Sequence, residues 1–159
     1  RNAARSIIGG LNVVFNVEED RGFLKSNAIA LVVTMGAVFA LALAGTAISL
    51  AAALPGAAAP AASFALMFVA GMLGAGFLYR FAPNRPDPPW NAVLPGAALF
   101  AFVWVGATAL FGSYVANFAN YNATYGSLGA VVILLTWFYL SAFVLLLGGE
   151  FVQVRADRD

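Results

Sequence analysis

SNAIALVVTMGAVFALALAGTAISLAAALPGAAAPAASFALMFVAGMLGAGFLY, residues 26–79, runs for 54 positions without one charged side chain. A spanning helix needs roughly 20 apolar residues, so this stretch has room for two spans and the turn between them. Pro55-Gly56 supplies a helix stop and a reversal. A second uncharged stretch, residues 88–149, is 62 residues long and divides in the same way. All eight basic and seven acidic side chains are confined to residues 1–25, 80–87 and 150–159.

Composition agrees with that placement. The chain of 159 residues is 62% hydrophobic and 9% charged, against about 45–50% and about 25% in soluble domains. A soluble fold of this size cannot bury so much apolar surface. The reading is an all-α, polytopic membrane helical bundle in a single domain, residues 1–159. Its four transmembrane helices are expected at about 27–54, 61–79, 91–117 and 127–149. Pro95 sits in the first turns of the third span, where a missing N–H is cheaply tolerated.

Residues 5–20 precede the first span. Ile7, Ile8, Leu11, Val14 and Phe15 recur at helical spacing, with Arg5, Asn12, Asn16 and Glu19 on the other arc. The run is too short and too polar to cross a bilayer, so an N-terminal interfacial amphipathic helix is expected. Glu18-Glu19-Asp20-Arg21 then reads as a solvated, self-paired segment, since neighbours on a helix do not converge on one metal ion. At the far end, a charged tail is expected to open at Glu150.

The same charge map sets orientation. The segments before the first span, between the second and third, and after the fourth hold every basic residue, and the turns at 55–60 and 118–126 hold none. Positive-inside bias therefore places both termini on the cytoplasmic side.

Several functions are excluded by what is missing. Cysteine and histidine are absent, removing disulfides, thiolate nucleophiles, imidazole bases and the usual zinc ligands. No ionisable residue lies inside a span, where one would have signalled a proton or ion path. With a net charge of +1 and no basic run, nucleic acid is not an expected partner. No cofactor, metal or catalytic residue is expected.

The informative side chains are aromatic. Tyr79, Phe81 and Trp90 fall at one boundary and Tyr114, Tyr121 and Tyr125 at the other, as amphipathic rings prefer. Trp104, Trp137 and Tyr139 lie nearer mid-span and need partners for their N–H and O–H groups. These three are candidate ligand- or path-lining residues. Tyr121, Asn122 and Tyr125 join them, because on a helical turn the two tyrosines, four apart, would share a face over the outer end of the bundle, with Asn122 beside them. Pro95, Gly96 and Gly126 are read as structural. Gly36-xxx-Ala40-xxx-Ala44 and Ala70-xxx-Gly74 are small-residue faces suited to close helix approach.

Taken in order, these segments resemble a known family. Leu11-Asn12, Arg21-Gly-Phe-Leu24, Tyr79-Arg-Phe-Ala-Pro-Asn84 and Trp90-Asn-Ala-Val-Leu-Pro-Gly-Ala97 are followed by Tyr121-Asn-Ala-Thr-Tyr-Gly-Ser-Leu-Gly-Ala130, Trp137-Phe-Tyr-Leu140 and Leu147-Gly-Gly-Glu150. The pattern resembles the YihY/virulence factor BrkB family of bacterial inner-membrane proteins, once labelled ribonuclease BN. The resemblance implies a multi-pass inner-membrane protein with roles suggested in envelope integrity and in lipid or solute export. It also implies further hydrophobic segments upstream, so the chain is expected to be an excerpt. The ribonuclease label finds no metal cage, acid–base pair or phosphate track here.

The expected function is transport or export of a lipid or other amphiphile across the inner membrane. The alternative is a non-catalytic structural or assembly protein. Membrane lipids are the expected partners, with a second copy or another membrane protein against the small-residue faces. The topology is directly checkable. Cysteines introduced at Ala58 and Ala123 should react with an impermeant thiol reagent in intact cells, and one at Asp87 should not. Labelling at Asp87 would reverse the orientation.

Overall fold

The computed structural model describes residues 2–56, 58–118 and 122–157, and side-chain surroundings for 3–56, 58–116 and 129–157. Five helices account for the fold: α1 Asn2–Val14, α2 Phe23–Ala51, α3 Ala58–Phe81, α4 Trp90–Phe118 and α5 Asn122–Ala156. No strand occurs among the described residues. The last four helices are long and apolar enough to cross a membrane. Each is apolar all round rather than on one stripe, the signature of a helix solvated by lipid. Large side chains such as Phe39, Phe102 and Phe138 accordingly lie exposed on the outside.

Consecutive spans pack as neighbours, α2 on α3, α3 on α4 and α4 on α5. α2 and α5 form no extended contact among the described residues, and α1 touches both. The short helix therefore bridges the first and last spans at the charged end of the bundle. Its apolar face is not left for lipid. Ile8, Leu11 and Phe15 are buried in one cluster with Ala30 and Val33 of α2, Ala75 and Tyr79 of α3, Val93 and Ala97 of α4, and Val152 of α5.

Several expected boundaries move, each for a local reason. α1 stops at Val14 rather than near residue 20. Asn16 adopts φ 50°, Val17 N–H donates to Asn12 C=O at 2.9 Å and Asn16 N–H to Val13 C=O at 3.0 Å. This is the Schellman stop, with asparagine in the left-handed position. The helix expected from residue 127 begins at Asn122, so most of the segment read as the outer connection is already helical. No tail opens at Glu150, because α5 continues for more than a turn beyond it, to Ala156. At 1.5 Å per residue α5 is about 52 Å long, so it projects well past a hydrocarbon core of about 30 Å.

The closest helix approach lies where α4 crosses α5. A Cβ on Gly96 would collide with the Val152 side chain and stand 2.7 Å from the Gly148 carbonyl oxygen. A Cβ on Gly148 would collide with the Tyr79 hydroxyl and stand 3.0 Å from the Gly96 carbonyl oxygen. Gly71 and Gly76 similarly face Ala101 and Ala97 across the α3–α4 contact. Tyr79 was expected at the membrane boundary, and the structure instead buries it completely in this crossing. Its O–H donates to the Leu145 carbonyl at 2.7 Å. Leucine in place of Gly96 should therefore destabilise the bundle by about 1–3 kcal/mol, the usual range for overpacking. A lowered melting temperature in detergent checks this, and an unchanged one would mean that the α4–α5 crossing is looser than described.

Candidate functional site

Three features of the bundle concentrate polar groups or open space. The first is an aromatic run between α4 and α5. Phe100 stacks on Trp104 with centroids 6.0 Å apart, and Trp104 lies 6.0 Å from Trp137. Trp137 stacks on Phe111 at 5.2 Å, and Phe111 on Tyr114 at 6.3 Å. Trp104 Nε1–H donates to Ser141 Oγ at 3.1 Å, joining the helices through the one indole proton that lipid could not satisfy. Thr108 turns its hydroxyl back onto the Trp104 carbonyl at 2.7 Å. Trp104 and Trp137 are thus brought together, each half-buried.

Tyr139 is not part of this run. It is 70% exposed and stacks on Phe143 on the lipid-facing side of α5. Tyr121 and the side chains of Asn122 and Tyr125 lie outside the described residues. Gly126 falls within α5, and Pro95 within α4 next to the buried Gly96.

The second feature is a polar clasp at the charged end. Asn12, expected on the solvated arc of α1, is buried. Its amide donates to Glu19 Oε2 at 2.9 Å and its carbonyl accepts the Asn84 backbone N–H at 2.8 Å. Asn84 also donates to the Glu18 carbonyl at 2.8 Å and to the Asp20 carboxylate. Arg21 pairs with Glu19 at 2.5 Å and donates to the Ala82 carbonyl at 3.1 Å. The acidic segment is exposed and paired within itself through Glu19 and Arg21, as expected, and it is also docked on the α3–α4 loop. Arg85 bonds Gln153 of α5 and lies 5.2 Å from the Phe15 ring. The hydrogen bond from Arg21 holds the Glu19 carboxyl below the usual carboxylate range, against desolvation, with Asn12 adding to the lowering. A lowered carboxyl stabilises the fold above its ordinary value, and that contribution disappears as pH falls through the lowered one. The clasp is thus fully formed at neutral pH.

The third feature is open space between spans. A groove of 380 Å³ runs between α4 and α5, lined by Leu99, Phe100, Val103, Val144, Leu147 and Phe151 among others, with Glu150 at its charged end. A larger groove of 480 Å³ lies between α2 and α3 and is lined entirely by uncharged residues. The small-residue faces Gly36/Ala40/Ala44 and Ala70/Gly74 line this second groove instead of closing on another helix. A Cβ at Gly36 or Gly74 would meet nothing within 4 Å. Sequence pattern gave no hint of the α4–α5 groove, since its residues come from two helices that are both apolar all round. Among the described residues, no group of three or more acidic side chains gathers where a metal could sit.

Comparison with known proteins adds a family context. A family profile described as Virulence factor BrkB matches residues 1–159. A Bacillus subtilis protein named as ribonuclease-like, YfkH, is 33% identical over 162 residues, covering 94% of this chain and 58% of that protein. A UPF0761 membrane protein of Alkalilimnicola ehrlichii is 44% identical over 90 residues, 57% of this chain and 20% of that protein. A third relative, the UPF0761 membrane protein of Tolumonas auensis, is 39% identical over 80 residues, 50% of this chain and 26% of its own. The chain therefore spans less than three fifths of the length of each of these relatives. No solved structure matches.

The clasp yields a direct test. Asn12→Ala leaves the partly buried Asn84 N–H without its acceptor, a loss of about 1 kcal/mol. The melting temperature should fall, and trypsin should cut faster after Arg21, whose side chain is only 6% exposed. Unchanged cleavage would show that the clasp does not hold α1 in place.

Proposed function

Because the chain belongs to the virulence factor BrkB family, has relatives named as membrane proteins and has four helices long and apolar enough to span a bilayer, we propose that it accommodates and moves an amphiphile, namely a lipid. The observation that carries this reading is the α4–α5 groove. Between residues 99–103 of α4 and 144–154 of α5 its lining is apolar except for Glu150, the first charged residue after the uncharged stretch. Its 380 Å³ falls within the roughly 300–1,000 Å³ usual for small-molecule sites. A wall that is apolar apart from one carboxylate suits an acyl chain with a polar head better than a hydrated inorganic ion. The reading is of a non-enzyme in the bacterial inner membrane with both termini cytoplasmic, supported by the confinement of all basic residues to one end.

A second reading, assembly, has its own support. The small residues lining the α2–α3 groove would let another helix approach closely, from a second copy or another membrane protein. The two readings separate by mutation. The test is movement of a head-labelled phospholipid between leaflets of proteoliposomes holding the purified chain. Val103→Trp in the α4–α5 groove should slow movement roughly tenfold, a barrier change of about 1.4 kcal/mol, with the fold intact by circular dichroism. Gly36→Leu with Ala40→Leu should leave movement unchanged. Wild-type vesicles no faster than empty ones would defeat the transport reading. Loss of an oligomer in the α2 variant alone would favour assembly.

A further inference from the structure

Glu150 is the first charge after 62 uncharged residues, and it lines an otherwise apolar groove. The other carboxylates at this end are mostly matched: Glu19 with Arg21, Asp20 with Asn84, Asp87 with Arg80 at 3.8 Å and Asp157 with Gln153 at 2.8 Å. Among the described residues, no ion pair or hydrogen bond reaches Glu150. Glu150 is exposed and lies within α5, more than a turn before the helix ends. One turn further on, the Arg155 guanidinium lies 5.8 Å from the Phe151 ring. Phe151 itself lines the groove. Arg155 likewise has no carboxylate partner among the described residues. Among the described residues, the groove lining thus holds a carboxylate without an ion-pair partner, and a guanidinium without one lies over Phe151, another lining residue.

We propose that the α4–α5 groove is a binding site for a phospholipid whose headgroup carries a primary ammonium, with Glu150 taking the ammonium and Arg155 the phosphate. The proposal rests on the amphiphile reading and specifies its ligand. The acyl chain lies along Leu99, Val103, Val144 and Leu147, which are apolar and leave the groove open. A primary ammonium has three N–H donors, and a carboxylate accepts them in short, charge-assisted bonds. A quaternary ammonium has no donor and depends on open aromatic faces instead. The Phe151 ring in the groove lining already has Arg155 beside it. A headgroup with phosphate alone would meet Arg155 but leave Glu150 opposite an anion. The ethanolamine type satisfies both charges.

The experiment is native mass spectrometry of the purified chain from vesicles of phosphatidylethanolamine, phosphatidylglycerol and phosphatidylcholine in equal parts. The ethanolamine lipid should be retained over each of the others by roughly threefold to tenfold, the range for a charge-assisted bond at a partly solvated site. Glu150→Gln should bring the three to parity at an unchanged melting temperature, and Glu150→Asp should keep part of the preference. Leu147→Trp, which fills the groove, should reduce retention of all three together. Parity in the wild type, or a preference that survives Glu150→Gln, overturns the headgroup assignment. In that case a loss of all lipids in Leu147→Trp still upholds the groove as an amphiphile site. Retention unchanged by Leu147→Trp defeats the amphiphile reading as well.

Discussion

The Tyr79 hydroxyl is the point on which the bundle turns. A phenol buried among apolar helices must find an acceptor or forfeit about 1–3 kcal/mol, and Tyr79 finds the Leu145 carbonyl at 2.7 Å. It can do so only because Gly148 has no side chain, since a Cβ there would occupy the hydroxyl's place. Gly96 completes the arrangement by letting the α4 backbone come down on Gly148. One hydrogen bond and two glycines thereby lock α3, α4 and α5 together near the charged end. In lipid, where apolar burial between helices offers little net advantage, such close packing and polar pairing are what hold spans together.

From that lock the rest of the architecture follows. α2 is attached along α3, and the short α1 fills the charged-end gap between α2 and α5 with Ile8, Leu11 and Phe15. The clasp of Asn12, Glu19, Arg21 and Asn84 then fastens α1 and its linker to the α3–α4 loop. Further from the charged end the helices are joined more lightly, by the Trp104–Ser141 bond and stacked rings. The α2–α3 and α4–α5 grooves differ in chemistry. The α2–α3 groove is lined by uncharged residues, mostly small or aliphatic, whereas the α4–α5 groove includes a carboxylate. The first suits another helix, the second a lipid.

How much was legible beforehand depends on whether a property belongs to one segment or to several. Four spans, their order and the amphipathic character of α1 are local facts, carried by uncharged runs, Pro55-Gly56 and the proline-rich loop, because lipid forces every span to be helical and nearly free of charge. The left-handed turn at Asn16 was also local, yet it ended α1 early because an asparagine can stop a helix where the apolar pattern still runs on. Other properties are relations between segments. Tyr79 reads as a boundary anchor until α5 places a carbonyl above it. Asn12 reads as solvated until the Asn84 amide arrives. Tyr139 reads like Trp104 and Trp137 until helix rotation turns it to lipid at 70% exposure.

The same division applies to the site. Glu150 was visible as the last span's edge, but only the pairing of α4 with α5 set it in the lining of a groove, with no cation paired to it among the described residues. When a helix is apolar on every face, its periodicity no longer says which face meets protein and which meets lipid. Sequence alone therefore determined that this chain lives in a membrane, with four helices and all its charge at one end. Tertiary packing decided which small residues close a contact and which leave a space, because that depends on what the neighbouring helix presents opposite them.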